Sequence, residues 1–353
     1  MTKVTGGLNW GSERVIPLQL TEQQRQHASD LHKGATMIDA SGVVRYDDGF
    51  LEEVFAGGVT ATNHTVTRPP HGLREGMLEI ARCRRWIRNN ANRVLLAETA
   101  ADIRLAKARG MYAVIMGPQN TDILEGSVEI LESFHALGVR VMQLTYQRRN
   151  LVGDGCAEPA DGGLSLLGRE LVKAMNGLGI VIDLSHCGRR TTLEAIKLSR
   201  DPVVFSHTHP RSLTNHIRNK ENDLIRSLAD RGGVMGITSF APISEIKPGV
   251  RPDILDFVRH IEYVVELVGI DHVGIGLDYS GILTAEKFAQ NKEKHPEIYG
   301  DYTFETRRVQ GIEKPSMMHG VTEVLVGRGF SPEAVRKILG LNFLRVFEQV
   351  WRG

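Results

Sequence analysis

The chain has 353 residues, with 43 Lys and Arg against 42 Asp and Glu, for a formal net charge of +1, and 41% of its residues are hydrophobic. That balance leaves no electrostatic footprint for a phosphate backbone or an anionic membrane surface, and the apolar share excludes a disordered chain. At roughly 100–200 residues per domain the length allows two domains, but α/β barrels run longer as one unit.

Met1 to Gly7 contains no apolar stretch with a small-residue cleavage site, and Val350-Trp351-Arg352-Gly353 carries no hydrophobic tail. No run approaches the roughly 18 apolar residues of a membrane-spanning helix. Cys83, Cys156 and Cys187 lack CxxC spacing and fit free thiols. The expected address is the cytoplasm. In chain order, an N-terminal extension (about residues 1–34) precedes short apolar runs at 35–39, 59–63, 112–116, 139–144, 180–184, 203–206, 234–238 and 273–277. Most are β-branched and apolar almost throughout, as in strands covered on both faces of a parallel sheet. Between them lie helical stretches. Residues 190–199 place Leu193 and Ile196 toward one face, and residues 222–233 open on Asn222-Asp223 and close on glycine. No G-x-G-x-x-G follows the first strand, which removes the main cue for a dinucleotide fold. Eight strands alternating with helices predict a single (β/α)8 TIM-barrel domain over residues 1–353, with 150–163 as a loop over its mouth.

In such barrels the C-terminal strand ends face the active site. Here the run at 180–184 ends in Ser185-His186, the run at 203–206 closes on Ser206 with His207 next, and the run at 273–277 is followed by Asp278. Two imidazoles and a carboxylate at one end of a barrel make a first shell for zinc. The alternative, that each polar residue merely caps a turn, is weaker for three such endings than for one. His209 reads as a substrate or supporting contact, and His64, after the second run, as either a ligand or a mouth residue.

These stretches, Gly179-Ile180-Val181-Ile182-Asp183-Leu184-Ser185-His186 and Pro202-Val203-Val204-Phe205-Ser206-His207, together with His216-Ile217-Arg218-Asn219, Val273 to Asp278 and Leu339-Gly340-Leu341-Asn342-Phe343, resemble the membrane (renal) dipeptidase family of zinc peptidases, peptidase family M19, among the amidohydrolase-like metal-dependent barrels. The resemblance implies a two-zinc site whose bridging water attacks a dipeptide carbonyl. It carries over His186 and His207 as ligands of the second zinc, Arg218 (with Asn219 beside it) as the anchor of the substrate carboxylate, and Asp278 as the proton carrier. Elsewhere the chain departs from the pattern. The family's Asp-Gly-His-x-Asp reads Asp39-Ala40-Ser41-Gly42-Val43, the bridging glutamate position reads Gln119, and the histidine that supports the tetrahedral intermediate matches Tyr146. A carboxamide cannot supply the charge that offsets two dications. The expectation is therefore at most one zinc, on His186 and His207, with Asp278 as the simplest third ligand and Gln119 as a weaker one.

Two functions follow. The first is a metal-dependent hydrolase cleaving an amide or peptide bond in a small carboxylate-bearing substrate, with Tyr146 donating to the oxyanion. The second is a non-hydrolytic lyase or isomerase, or a small-molecule-binding protein, on the same barrel. Residues 281–314, rich in charge and aromatics, read as a lid, a subunit contact in a homo-oligomer, or a solvated excursion.

Overall fold

A computed structural model describes residues 19–43 and 46–352; the first 18 residues of the expected extension, including Met1 to Gly7, lie outside the described residues, as does Gly353. Every predicted run is a strand: β1 Met37–Val43, β2 Val59–His64, β4 Tyr112–Met116, β5 Val141–Gln143, β6 Val181–Asp183, β7 Val204–Thr208, β8 Val234–Ile237 and β9 Val273–Ile275. Two short strands add to these, β3 Val94–Leu96 beside β4 and β10 Tyr279–Ser280 on the end of β1. All named pairings are parallel, in the order β4-β2-β1-β9-β8-β7-β6-β5. The ring closes where Met116 at the end of β4 bridges Val139, with Arg140 N donating to Met116 O at 3.1 Å and Gln143 N to Pro118 O at 3.0 Å. The fold is a (β/α)8 barrel.

Side-chain alternation sorts the strands into two cores. Ile38, Ala61, Ala113, Ile115, Val141, Val181, Val204 and Val234 point inward and form one buried cluster with Phe343, Leu344, Phe347 and Trp351. Those last residues belong to helix Asn342–Val350 and its C-terminal cap, so the C-terminal helix plugs the barrel interior. Met37, Tyr112, Val114, Met142, Ile182 and Phe205, of opposite parity, pack outward against the helical ring.

The helix at 190–199 is Arg189–Leu198, with Ala195 and Ile196 buried. That at 222–233 is Asn222–Asp230, one residue off at its start because Glu221 is the N-cap residue. Asn222 instead uses its side chain to reach Tyr263 Oη and Ser212 Oγ, and Gly232 takes the left-handed turn beyond the helix (φ +75°). The three cysteines are free, and no helix among the described residues is long and apolar enough to cross a membrane.

Candidate active site

Above the inward apolar layer lies a polar one built on Asp183. Its Oδ1 accepts from Ser185 N at 3.0 Å, Ser185 Oγ at 2.6 Å and Ser206 N at 3.0 Å, and its Oδ2 accepts from Ser206 Oγ. With the Ser206 proton spent on the carboxylate, Ser206 Oγ accepts from His207 Nδ1 at 2.7 Å. That leaves His207 Nε2 as a lone pair, which receives the proton of His186 Nε2 at 2.8 Å. Both imidazoles are neutral. Burial holds each well below the usual histidine range, and the Arg218 guanidinium pushes the same way.

Over this pair opens a cavity of about 80 Å³ at the C-terminal mouth, lined by Tyr146, His186, Arg218, Asp278 and Gln119 among others. Tyr146 stacks on His186, with centroids 4.3 Å apart. Burial raises the Tyr146 phenol, which keeps it a proton donor, and burial likewise raises the Asp278 carboxyl against the opposing pull of Arg308, Arg218 and Arg68. Arg218 is 3% exposed and donates to Ser185 O and, at 3.4 Å, to His207 O. Of three non-glycine residues with left-handed backbone among those described, two, Gln147 (φ 62°) and Asp278 (φ 52°), line this cavity. Such strain concentrates at functional sites.

The structure thus brings together Tyr146, His186, His207, Arg218, Asp278 and Gln119. It does not bring His209, Asn219 or His64. His209 packs against His260 with tilted rings, centroids 4.0 Å apart, and its Nε2 lies 2.7 Å from Ser244 Oγ and 3.1 Å from Thr238 O. Asn219 Nδ2 donates to Thr214 O and Ile243 O at 2.9 and 2.8 Å, a loop-holding contact. His64 is outward by parity, since Ala61 of the same strand is inward; its Nε2 meets Tyr112 Oη at 2.7 Å among aromatic rings. Sequence reading missed three lining residues, Arg68, Arg307 and Arg308. Arg307 and Arg308 lie within the 281–314 stretch already read as rich in charge, and that adjacent pair is the signal that could have marked them; Arg68 has none.

The comparisons bear on the fold and the family. Residues 16–299 match the family model for membrane dipeptidase, peptidase family M19. The chain belongs to this family. A crystal structure of an amidohydrolase from Pseudomonas aeruginosa aligns over 92% of this chain and 99% of its own at 36% identity, with a TM-score of 0.85. The dipeptidase tcpJ of Claviceps purpurea is 30% identical over 280 residues, 79% of this chain, which spans 60% of that relative's length. A metallo peptidase from Rhodobacter sphaeroides, liganded with a phosphinate mimic of L-Ala-D-Ala, shares the fold at 19% identity and a TM-score of 0.75, over 90% of this chain and 99% of its own.

Membership in M19 raises the question of a metal, and the donor set answers it. Where the resemblance places the first ion, the buried Ser41 hydroxyl accepts from the Gln119 carboxamide at 3.3 Å, and Val43 lines the wall. None of these is an anion or an imidazole. His186 and His207 converge on their Nε2 atoms within reach of one ion, but among the described residues no group of three or more His, Cys, Asp or Glu is placed to hold a metal. His207 has the outer partner that a ligating imidazole needs, through Ser206 to Asp183; His186 Nδ1 is buried with none. A catalytic zinc takes three protein ligands. The residues do not fit a dinuclear centre and fall one donor short of a mononuclear one.

Proposed function

We propose that the chain hydrolyses an amide bond in a small carboxylate-bearing molecule held in the barrel-mouth cavity. The observation that carries this reading is the placement of Asp278, its carboxyl raised by burial, in one cavity with the buried guanidinium of Arg218. Arg218 anchors the substrate carboxylate through charge-assisted hydrogen bonds. Asp278 takes a proton from water as it attacks the carbonyl and returns it to the leaving amine. The Tyr146 phenol, kept protonated, donates to the developing oxyanion. The zinc expected on His186 and His207 lacks a third donor placed with them, neither Asp278 nor Gln119 completing the set among the described residues, and no step above is routed through a metal.

The relatives named dipeptidase make a dipeptide the natural first substrate. Ordinary dipeptides are expected to be turned over poorly, because Ser41, Val43 and Gln119 give no charge with which to activate water. The test is a dipeptide panel assayed with and without added zinc, alongside metal analysis of the purified protein. Turnover should fall by about 10²–10⁴ in Asp278→Asn, and Arg218→Gln should chiefly raise KM. The neutral Ser41–Gln119 contact favours a second reading, a non-hydrolytic enzyme or binding protein; binding of the panel without any hydrolysis would establish it.

A further inference from the structure

One guanidinium, Arg218, is accounted for above, and three are not. Arg68, Arg307 and Arg308 line the same cavity, where Asp278 is the sole acidic lining residue among those described. Their partners are not carboxylates. Arg308 donates to Leu277 O at 3.1 Å, Asp278 O at 2.6 Å and Ser239 Oγ at 3.2 Å, and Arg307 donates to Phe304 O while its guanidinium lies over that ring. Arg308 is 4% exposed, and its Nε, like that of Arg307, is buried without a hydrogen-bond partner. A guanidinium cannot shed its proton to escape burial. Buried charge is unfavourable unless it is balanced; Asp278 and Asp39 act on Arg308, and an anionic ligand would supply the remainder.

The arithmetic says how much. Four guanidinium groups against one carboxylate leave three positive charges in the cavity, in a chain whose formal net charge is only +1. A single substrate carboxylate on Arg218 would leave two. Outside lies a wider vestibule of about 760 Å³ that shares Arg68, Tyr146 and Tyr299 with the cavity; Arg148, Lys287 and Lys294 line it, with Asp122 as its one acid among the described residues. A concave surface of one sign concentrates ligands of the other. Arg218 sits on the rim formed by the ends of β6 and β7, whereas Arg308 is held by the ends of β8 and β9, so the two can grip separate groups of one molecule.

We propose that the substrate carries a second anionic group, a carboxylate or a phosphate, bound by Arg308 together with Arg68 and Arg307 while Arg218 holds the first. This selects doubly anionic amides over ordinary dipeptides. It rests on the cavity being the substrate site, and the experiment separates it from amide hydrolysis itself.

Calorimetric binding is compared within two matched pairs, alanyl-glutamate against alanyl-glutamine and alanyl-phosphoserine against alanyl-serine, with hydrolysis of all four followed in parallel. The charged member of at least one pair should bind about tenfold or more tightly, and the pair that shows it identifies the group as carboxylate or phosphate. Arg68→Gln and Arg308→Gln should each bring the affinity ratio within the responding pair down toward one. Arg308→Lys should keep much of it. Arg308 ties down the Leu277 and Asp278 carbonyls after β9 and the Ser239 hydroxyl after β8, so the Arg68 variant keeps the test informative if Arg308→Gln fails to fold. Equal affinity within both pairs would overturn the proposal. A charge preference without hydrolysis of any probe would sustain it and defeat the hydrolase reading instead.

Discussion

Asp39 carries a testable consequence at the scale of a single residue. Its Oδ1 accepts from Leu277 N at 2.7 Å and Ser41 N at 3.2 Å, 4% exposed beneath the mouth. Burial outweighs these bonds and pushes the carboxyl from its usual 3.8 to about 7. The native state then binds more protons than the unfolded chain between those two values, so stability falls as pH rises from about 4 to about 7 and levels off above. The shift corresponds to roughly 4 kcal/mol. Asn keeps an oxygen for both amides and carries no charge. Asp39→Asn should therefore match the wild type in denaturant titrations near pH 4, flatten the slope, and exceed it at pH 8. A wild type that gains stability relative to the variant through that window would mean that Asp39 is ionised and held so by its amides and Arg308.

Among the elements, β7 does most to shape the site. Its register with β8 shifts between Phe205 and Thr208. Strict alternation would send Ser206 and His207 to opposite faces, but here Ser206 reaches Asp183 while His207 reaches His186. Irregular pairing next to active sites re-aims side chains in this way. The irregularity is matched by two glycines, since a Cβ at Gly236 would lie 2.1 Å from Ser206 O and one at Gly276 only 1.8 Å from it. Gly276→Ala should cost more than about 3 kcal/mol in thermal or chemical unfolding. Gly177→Ala is the control: a methyl group there, inside helix Leu166–Leu178, would meet nothing within 4 Å, so it should stabilise by about 0.5–1 kcal/mol. Equal effects of the two changes would remove the close-approach account.

For the whole molecule, the barrel is a closed interior sealed at one end and open to ligand at the other. Helix Asn342–Val350 makes the seal. Phe347, 2% exposed, stacks on Trp351 with centroids 4.3 Å apart, and Trp351 Nε1 donates to Arg140 O at 3.1 Å. Asn342 Nδ2 donates to Ile270 O and Val273 O, both at 2.7 Å, tying the helix to the start of β9. Phe347→Ala removes a large ring from the inward core and should cost about 3–5 kcal/mol. Because the plug lies at the end opposite the cavity, affinity for substrate in the folded fraction should stay within about twofold of the wild type. A marked loss of binding with stability unchanged would place the helix in the site.

Local chemistry made the architecture legible in the chain. Runs such as Tyr112–Met116 and Val234–Ile237 are apolar on both faces because both faces are covered, and other strand ends bring His186 and Asp278 to one mouth, with His207 buried beneath. The substitutions at Ser41, Val43 and Gln119 were equally plain, since a missing charge is a property of residue type. Side-chain direction was harder to read. His209 and Asn219 sit beside true site residues in the chain but spend their polar atoms on Thr238 O and Ser244 Oγ, and on Thr214 O and Ile243 O. His64 was read as a ligand or a mouth residue, but the structure turns it outward from β2 onto Tyr112. The cationic character of the cavity was the least visible feature. Arg68, Arg218 and the Arg307-Arg308 pair are far apart in a chain of nearly zero net charge, and only closure of the barrel collects them around one carboxylate. Composition fixes the sum of the charges, whereas their local density depends on which strand ends meet at the mouth.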